Sequence, residues 1–254
     1  MEKKYSEFNP QKDKEKIVKF IQEWFYENAP TAKAIVGISG GKDSTIVACL
    51  CKEALGKERV VGVLMPNGIQ KDFNDALEVV HYLDIPYKIV NIESSYNAIL
   101  KQLQIGKGLY INTESNQLLQ NLAPRLRMAT LYAIGQGLTT GGIVINTCNY
   151  SEDYIGYSTK FGDSAGDISP LGAYTVNEVL AIGDILDLPH YLVHKTPSDG
   201  LCGKTDEDNL GFTYAILDEY IKTGICEDKE IKAKIDYRHK TNEHKLKPIP
   251  IVNR

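Results

Sequence analysis

IVGISGGKDS (residues 35–44) carries an apolar run into a turn of glycine and serine, and then opens a helix with Lys42-Asp43-Ser44. At the carboxyl edge of a parallel strand, such a turn lets backbone N–H groups approach an anion. The helix that follows adds the positive end of its dipole. Gly37, Gly40 and Gly41 permit close approach, and Ser39 and Ser44 supply hydroxyl donors. Spacing excludes two other phosphate loops. A Walker A loop needs glycine where Val36 stands and Ser or Thr where Asp43 stands. The dinucleotide pattern GxGxxG fails because Ser39 occupies the place of its second glycine. Asp43 on its own reads as a first-turn acid complementing the helix dipole, worth under about 1 kcal/mol. Beside a pyrophosphate it would be repelled. A bridging Mg²⁺ removes that conflict, because this ion takes one or two carboxylates together with substrate phosphates.

Working outward from this turn, apolar periodicity alternates between helix and strand. Residues 10–28 have helical spacing, 33–38 read as a buried strand and 43–55 as a helix. Residues 59–66 read as a second strand, 71–84 as an amphipathic helix, 86–92 as a third strand and 93–104 as a helix. A polar stretch, 105–117, precedes a helix over 124–138 with Pro124 in its first turn. Residues 141–147 read as a fourth strand and 148–172 as a long loop. A helix over 175–188, a short fifth strand over 190–195, a loop to 208 and helices 209–222 and 228–240 complete the chain. The expectation is an α/β fold: a doubly wound, mainly five-stranded parallel sheet flanked by helices. The two long polar loops are of the length that often carries function.

The totals agree with an enzyme-sized domain. The 254 residues are 43% hydrophobic and 24% charged, enough to bury a core. A net charge of −4 gives no basic excess that would point to nucleic acid. No apolar stretch reaches the length of a membrane span. The five cysteines are scattered and form no CxxC, so they read as reduced thiols in a cytoplasmic protein.

The pattern SGGxDS is also the signature of the ATP-pyrophosphatase group, with its adenine nucleotide α-hydrolase-like fold. Within that group the chain resembles ammonia-dependent NAD⁺ synthetases over nearly its whole length. The resemblance rests on QKDFNDA (70–76), PRLRMATLYAIGQ (124–136), NTCNYSE (146–152), STKFGDSAGDISPL (158–171), KTPSDGL (195–201), DEDNLGFTY (206–214) and NEHK (242–245). It implies adenylation of the nicotinate carboxylate of deamido-NAD⁺ by ATP, followed by amidation with ammonia. By resemblance, Gly37, Ile38, Ser39, Gly40, Gly41, Lys42, Asp43 and Ser44 hold ATP, as do Thr147 and Ser198. Asp43 and Glu152 hold Mg²⁺; Glu152 alone would read as a solvated loop acid. Arg125, Lys160, Asp167, His244 and Lys245 match contacts to deamido-NAD⁺. Arg127 reads as a surface or ATP-side charge. Asp163 falls where the family receives ammonia and could accept its proton.

Two departures stand out. A lysine that commonly contacts ATP is replaced by Val176, leaving Lys195 or Lys204 as substitute cations or ATP more weakly held. The usual Thr-Asp-His after the fourth strand reads Thr147-Cys148-Asn149, and nothing nearby makes Cys148 an obvious nucleophile. The expectation is one synthetase domain over 1–254 without a glutaminase domain, using free ammonia, and a homodimer involving the leucines of 113–138. Two other readings stay open: another adenylating amidase or thiolase of the same group, and a non-catalytic nucleotide-binding domain.

Overall fold

Four strands form the sheet among the described residues of the computed structural model, which are 7–70, 72–194 and 205–252. They are β1 (Lys33–Gly37), β2 (Val60–Leu64), β3 (Tyr87–Ile89) and β4 (Gly142–Ile145), all parallel and ordered β3-β2-β1-β4. Helix α1 (Pro10–Asn28) is capped by the Asn9 side chain, which accepts the Lys12 N–H, and begins on a proline whose missing N–H costs nothing there. From β1 the chain winds one way through α2 (Lys42–Leu55) and α3 (Phe73–Tyr82) to β2 and β3. It then reverses through α4 (Glu93–Leu103) and α5 (Asn116–Gly137) to place β4 on the other side of β1. A crevice opens at such a reversal, outside the carboxyl ends of the strands.

Strand alternation divides the core between the two faces. Ala34 and Val36 join Ile17, Phe25, Ile46 and Leu50 beneath α1 and α2, whereas Ile35 joins Val63, Met128 and Val144 beneath α5. The second face depends on a glycine pair. A Cβ on Gly142 would lie 2.6 Å from Gly135 Cα and 2.7 Å from Ile35 Cγ1, so α5 crosses β4 backbone to backbone. A third cluster, including Ile155, Val176, Phe212, Leu217 and Ile235, lies under α6 (Tyr150–Ile155), α7 (Val176–Gly183), α10 (Tyr214–Thr223) and α11 (Lys229–Asn242). The short helices α8 (His190–Val193) and α9 (Asp206–Leu210) complete the set.

The structure corrects several expectations. Residues 190–193 form α8 and not a fifth strand: Pro189 stands at the N-cap, and the adjacent Leu192 and Val193 are both buried, where a strand would alternate. Helix α5 begins at Asn116, so Pro124 lies in its interior and not its first turn. The proline abuts the following loop there, since a Cβ on Gly162 would meet Pro124 Cβ at 2.9 Å. The loop over 148–172 contains α6, set by a capping box in which Asn149 and Glu152 each accept the other's backbone N–H. The helix expected over 209–222 divides at Gly211, which adopts the left-handed conformation that ends α9 (φ 76°).

Candidate active site

The glycine turn leaves the sheet where Ile38 N–H donates to Val63 O at 2.9 Å. Gly40 follows with φ 81°, and a Cβ there would meet Ala76 N at 2.9 Å, so the turn requires glycine on two counts. Its hydroxyls knit it together. Ser39 N–H donates to Ser44 Oγ (3.3 Å), Gly41 N–H to Ser39 Oγ (3.2 Å), and Ser44 and Thr45 hydroxyls to Gly41 O (3.1 and 2.8 Å). No side chain caps the N-terminus of α2, which keeps its first-turn amides for an anion.

Beside the turn lies a cavity of about 370 Å³. Ile38, Leu64, Met65 and Phe73 give it an apolar side suited to a flat heterocycle, and Arg127, Thr147 and Asp163 give it a polar one. Arg127 Nε donates to Met65 O at 3.0 Å. Burial lowers its pKa, against the pull of Asp163. Of the two readings of Arg127, the structure takes the cavity and not the surface.

A charged cluster borders the first turn of α2. Lys42 is 6% exposed, and its ammonium donates to Asp43 Oδ2 at 2.8 Å. Desolvation works against the Lys42 charge, but Asp43 and Glu152 outweigh it and raise its pKa. Asn149 Nδ2 donates to Asp43 Oδ1 at 3.2 Å. Burial and then the Asp43 charge push Glu152 well above the usual carboxylate range. Asp206 adds further negative charge to both Lys42 and Glu152. One ammonium thus faces three carboxyl groups, and the cluster is short of positive charge. Hard oxygen donors in charge excess suit a hard divalent cation such as Mg²⁺. The Tyr214 hydroxyl is buried beside these acids and has no hydrogen-bond partner among the described residues.

The structure also joins three of the expected dinucleotide residues in one string and anchors a fourth, Lys245, next to it. Arg125 Nε donates to Lys160 O (3.2 Å), Lys160 Nζ to His244 O (3.0 Å), and Lys245 Nζ to Gly156 O and Ser158 O (2.7 and 3.0 Å). Asp167 is committed elsewhere: its carboxylate accepts Val144 N–H (2.8 Å) and Tyr132 O–H (3.1 Å) at β4. Asp163 Oδ1 accepts Thr159 N–H at 2.8 Å, and burial raises its pKa against that hydrogen bond. Ser198, Lys195 and Lys204 lie outside the described residues. Val176 is buried among Ile155, Leu210 and Phe212, so it is a packing residue. Burial pushes the Cys148 thiol up, in keeping with an inert thiol, and it lifts Cys49 to about 11 and Cys51 to about 12. The sequence reading missed Asn149 and Tyr214. The spacing Asn149-x-x-Glu152 was the available signal for the first, and nothing local marks the second.

A parallel sheet that reverses at β1, with a SGGxDS turn feeding an uncapped helix, defines an adenine nucleotide α-hydrolase-like, ATP-using fold. The chain belongs to the NAD synthase family, whose model matches residues 14–250. It is 40% identical over 250 residues to an NH(3)-dependent NAD(+) synthetase of Thermococcus sibiricus, covering 93% of this chain and 94% of that one. A second such synthetase, from Finegoldia magna, is 35% identical, with 91% and 93% covered. Among solved structures, an NMN synthetase from Francisella tularensis superposes with a TM-score of 0.87 at 33% identity, covering 98% of this chain and 100% of that one. An NH3-dependent NAD synthetase from Campylobacter jejuni, in complex with the nitrate ion, gives 0.76 at 32%, covering 97% and 100%.

Proposed function

We propose that the chain is an ammonia-dependent NAD⁺ synthetase that adenylates the nicotinate carboxylate of deamido-NAD⁺ and then amidates it. The observation that carries this reading is the Lys42–Asp43–Glu152 charge cluster at an open helix N-terminus, whose glycine turn also borders a nucleoside-sized cavity walled by Asp163. The turn amides and the Ser39 and Ser44 hydroxyls bind and orient the triphosphate. Bound at Asp43 and Glu152, Mg²⁺ would neutralise phosphate charge and ease departure of pyrophosphate. Lys42 adds a fixed positive charge and supplies the cation that Val176 cannot. The apolar side of the cavity holds the base and excludes water. A carboxylate oxygen of nicotinate bonds to the α-phosphorus while the bond to the bridging oxygen breaks, and pyrophosphate leaves with that electron pair. Ammonia nitrogen then bonds to the acyl carbon, AMP leaves with the electrons of its ester bond, and Asp163 accepts the proton shed by nitrogen. Positioning and charge neutralisation do the rest, since no nucleophile from the protein is needed.

The same chemistry serves a mononucleotide acid, a second reading favoured by the 0.87 superposition on a structure called an NMN synthetase. The two readings separate in one assay with ATP, Mg²⁺, ammonium and either deamido-NAD⁺ or nicotinate mononucleotide. The expected result is AMP and pyrophosphate formed in equal amounts, with kcat/KM higher for deamido-NAD⁺. Preference for the mononucleotide would establish the second reading, and ATP binding without turnover of either acid would refute both.

Free ammonia as donor, a single catalytic domain and a cytoplasmic setting complete the proposal. The described cysteines are free thiols, and no described helix is long and apolar enough to cross a membrane. A homodimer is supported by an unpartnered flank: α4 buries none of its residues, β3 is exposed throughout, and Ile105, Leu109 and Tyr110 stand in solvent.

A further inference from the structure

We propose that Asp184, His190 and His194 form a second ion site, on the surface, for a borderline divalent transition ion of the zinc class. Their candidate ligand atoms all lie within 4.8 Å of one another. None of the three lines the nucleotide cavity. The donor set differs in kind from the acid cluster at α2. Two imidazoles and one carboxylate suit zinc, cobalt or nickel, whereas Mg²⁺ takes oxygen.

The sequence and the local fold produce this arrangement. His190 opens α8 and His194 is its C-cap, one turn on, and their rings are stacked with centroids 4.1 Å apart. Asp184, at the end of α7, presents Oδ1 to His194 Nε2 at 2.5 Å. That contact brings a carboxylate oxygen and an imidazole nitrogen to one point, where an ion can replace the proton between them. The base beneath is firm. Leu186, Leu192 and Val193 are buried, and Gly183 is so tightly packed that a Cβ there would lie 2.6 Å from Val193 Cγ1 and 2.8 Å from Ile46 Cδ1. The three side chains themselves are exposed, held among the described residues only by one hydrogen bond and one ring stack that an incoming ion would replace. Tetrahedral zinc with bonds of about 2.0–2.1 Å spaces its donors about 3.3 Å apart, so small rotations about χ1 and χ2 bring these three into place. A water completes a three-ligand site.

The test is titration of the intact protein with Zn²⁺ against a chromogenic chelator, with excess Mg²⁺ present to occupy oxygen-only sites. One Zn²⁺ per chain should bind, and His190→Ala and His194→Ala should each weaken that binding by about tenfold or more. Co²⁺ in the same site should show weak visible absorption without a thiolate charge-transfer band. The variants change exposed side chains and should keep wild-type turnover in metal-free buffer plus Mg²⁺, which certifies their folding. Zn²⁺ affinity equal in wild type and both histidine variants would overturn the site. So would a cobalt–thiolate band, or no Zn²⁺ binding by wild type up to about 100 μM, weaker than ordinary zinc sites.

Discussion

Asp43→Asn should lower kcat/KM for ATP-dependent AMP release by about a thousandfold or more, the scale of removing one directly acting charge from a preorganised site. The substitution keeps the shape of the side chain, and its single amide oxygen can still accept from either Asn149 or Lys42, which bond different oxygens of Asp43. It removes the charge that would meet the cation. The fold should survive because Glu152 compensates: its raised pKa comes from burial and then from the facing Asp43. Without that second acid, Glu152 ionises more readily and becomes the partner of Lys42. The expected signature is therefore a Tm near wild type, ATP binding that Mg²⁺ no longer tightens, and almost no AMP. Calorimetric titration of ATP with and without Mg²⁺, beside single-turnover AMP release, reads all three. Turnover within tenfold of wild type would mean that Asp43 is only a dipole-complementing first-turn acid.

Gly142→Val should be the most damaging change to stability. Its Cβ would fall 2.6 Å from Gly135 Cα, which is backbone and cannot rotate away, and 2.7 Å from Ile35 Cγ1. Overpacking of this kind costs about 3 kcal/mol or more, equal to a fall in Tm of roughly 6–12 °C for a chain of this size. The damage is also functional, because α5 carries Arg127, which lines the cavity, and lifting the helix off β4 moves that side chain. Thermal unfolding monitored by circular dichroism, together with the KM for ATP, is the check. An unchanged Tm would show that α5 accommodates the added methyls by sliding along the sheet.

Legibility varied along the chain for physical reasons. Strands β1, β2 and β4 and helices α1 to α3 follow directly from apolar period and turn chemistry, because each buries apolar side chains in the core, whereas β3 and α4 bury none and were legible from the alternation around them. The fifth strand failed because HYLV places Leu192 and Val193 side by side, a pattern that short helix and short strand share. Pro124 misled because a proline reads as a start signal, yet here a helix interior tolerates it beside a loop that packs against it. Within the candidate site, the glycine turn with Asp43 was legible from local spacing alone. Glu152, Arg125 and Lys160 became site candidates only as parts of matched blocks, because lone charges are usually solvated. Tyr214 was not legible, and for Arg127 the sequence left the surface and the ATP side both open. Their roles depend on which distant elements bury them, and that information lies in tertiary packing.

The strand order has a consequence for how the molecule comes into being. Ala34 pairs with Val60 on one side and with Ile143 on the other, so one edge of β1 is satisfied by nearby sequence and the other waits for far later sequence. Closing that long intervening loop delays the second pairing. Amide protection measured during refolding should rise in β2 before β4, and the reverse sequence would contradict this timing. A nascent polypeptide still short of residue 142 therefore holds the phosphate turn already shaped but lacks the opposite bank of the cleft, so competence to grip a nucleotide arrives only with the last seam.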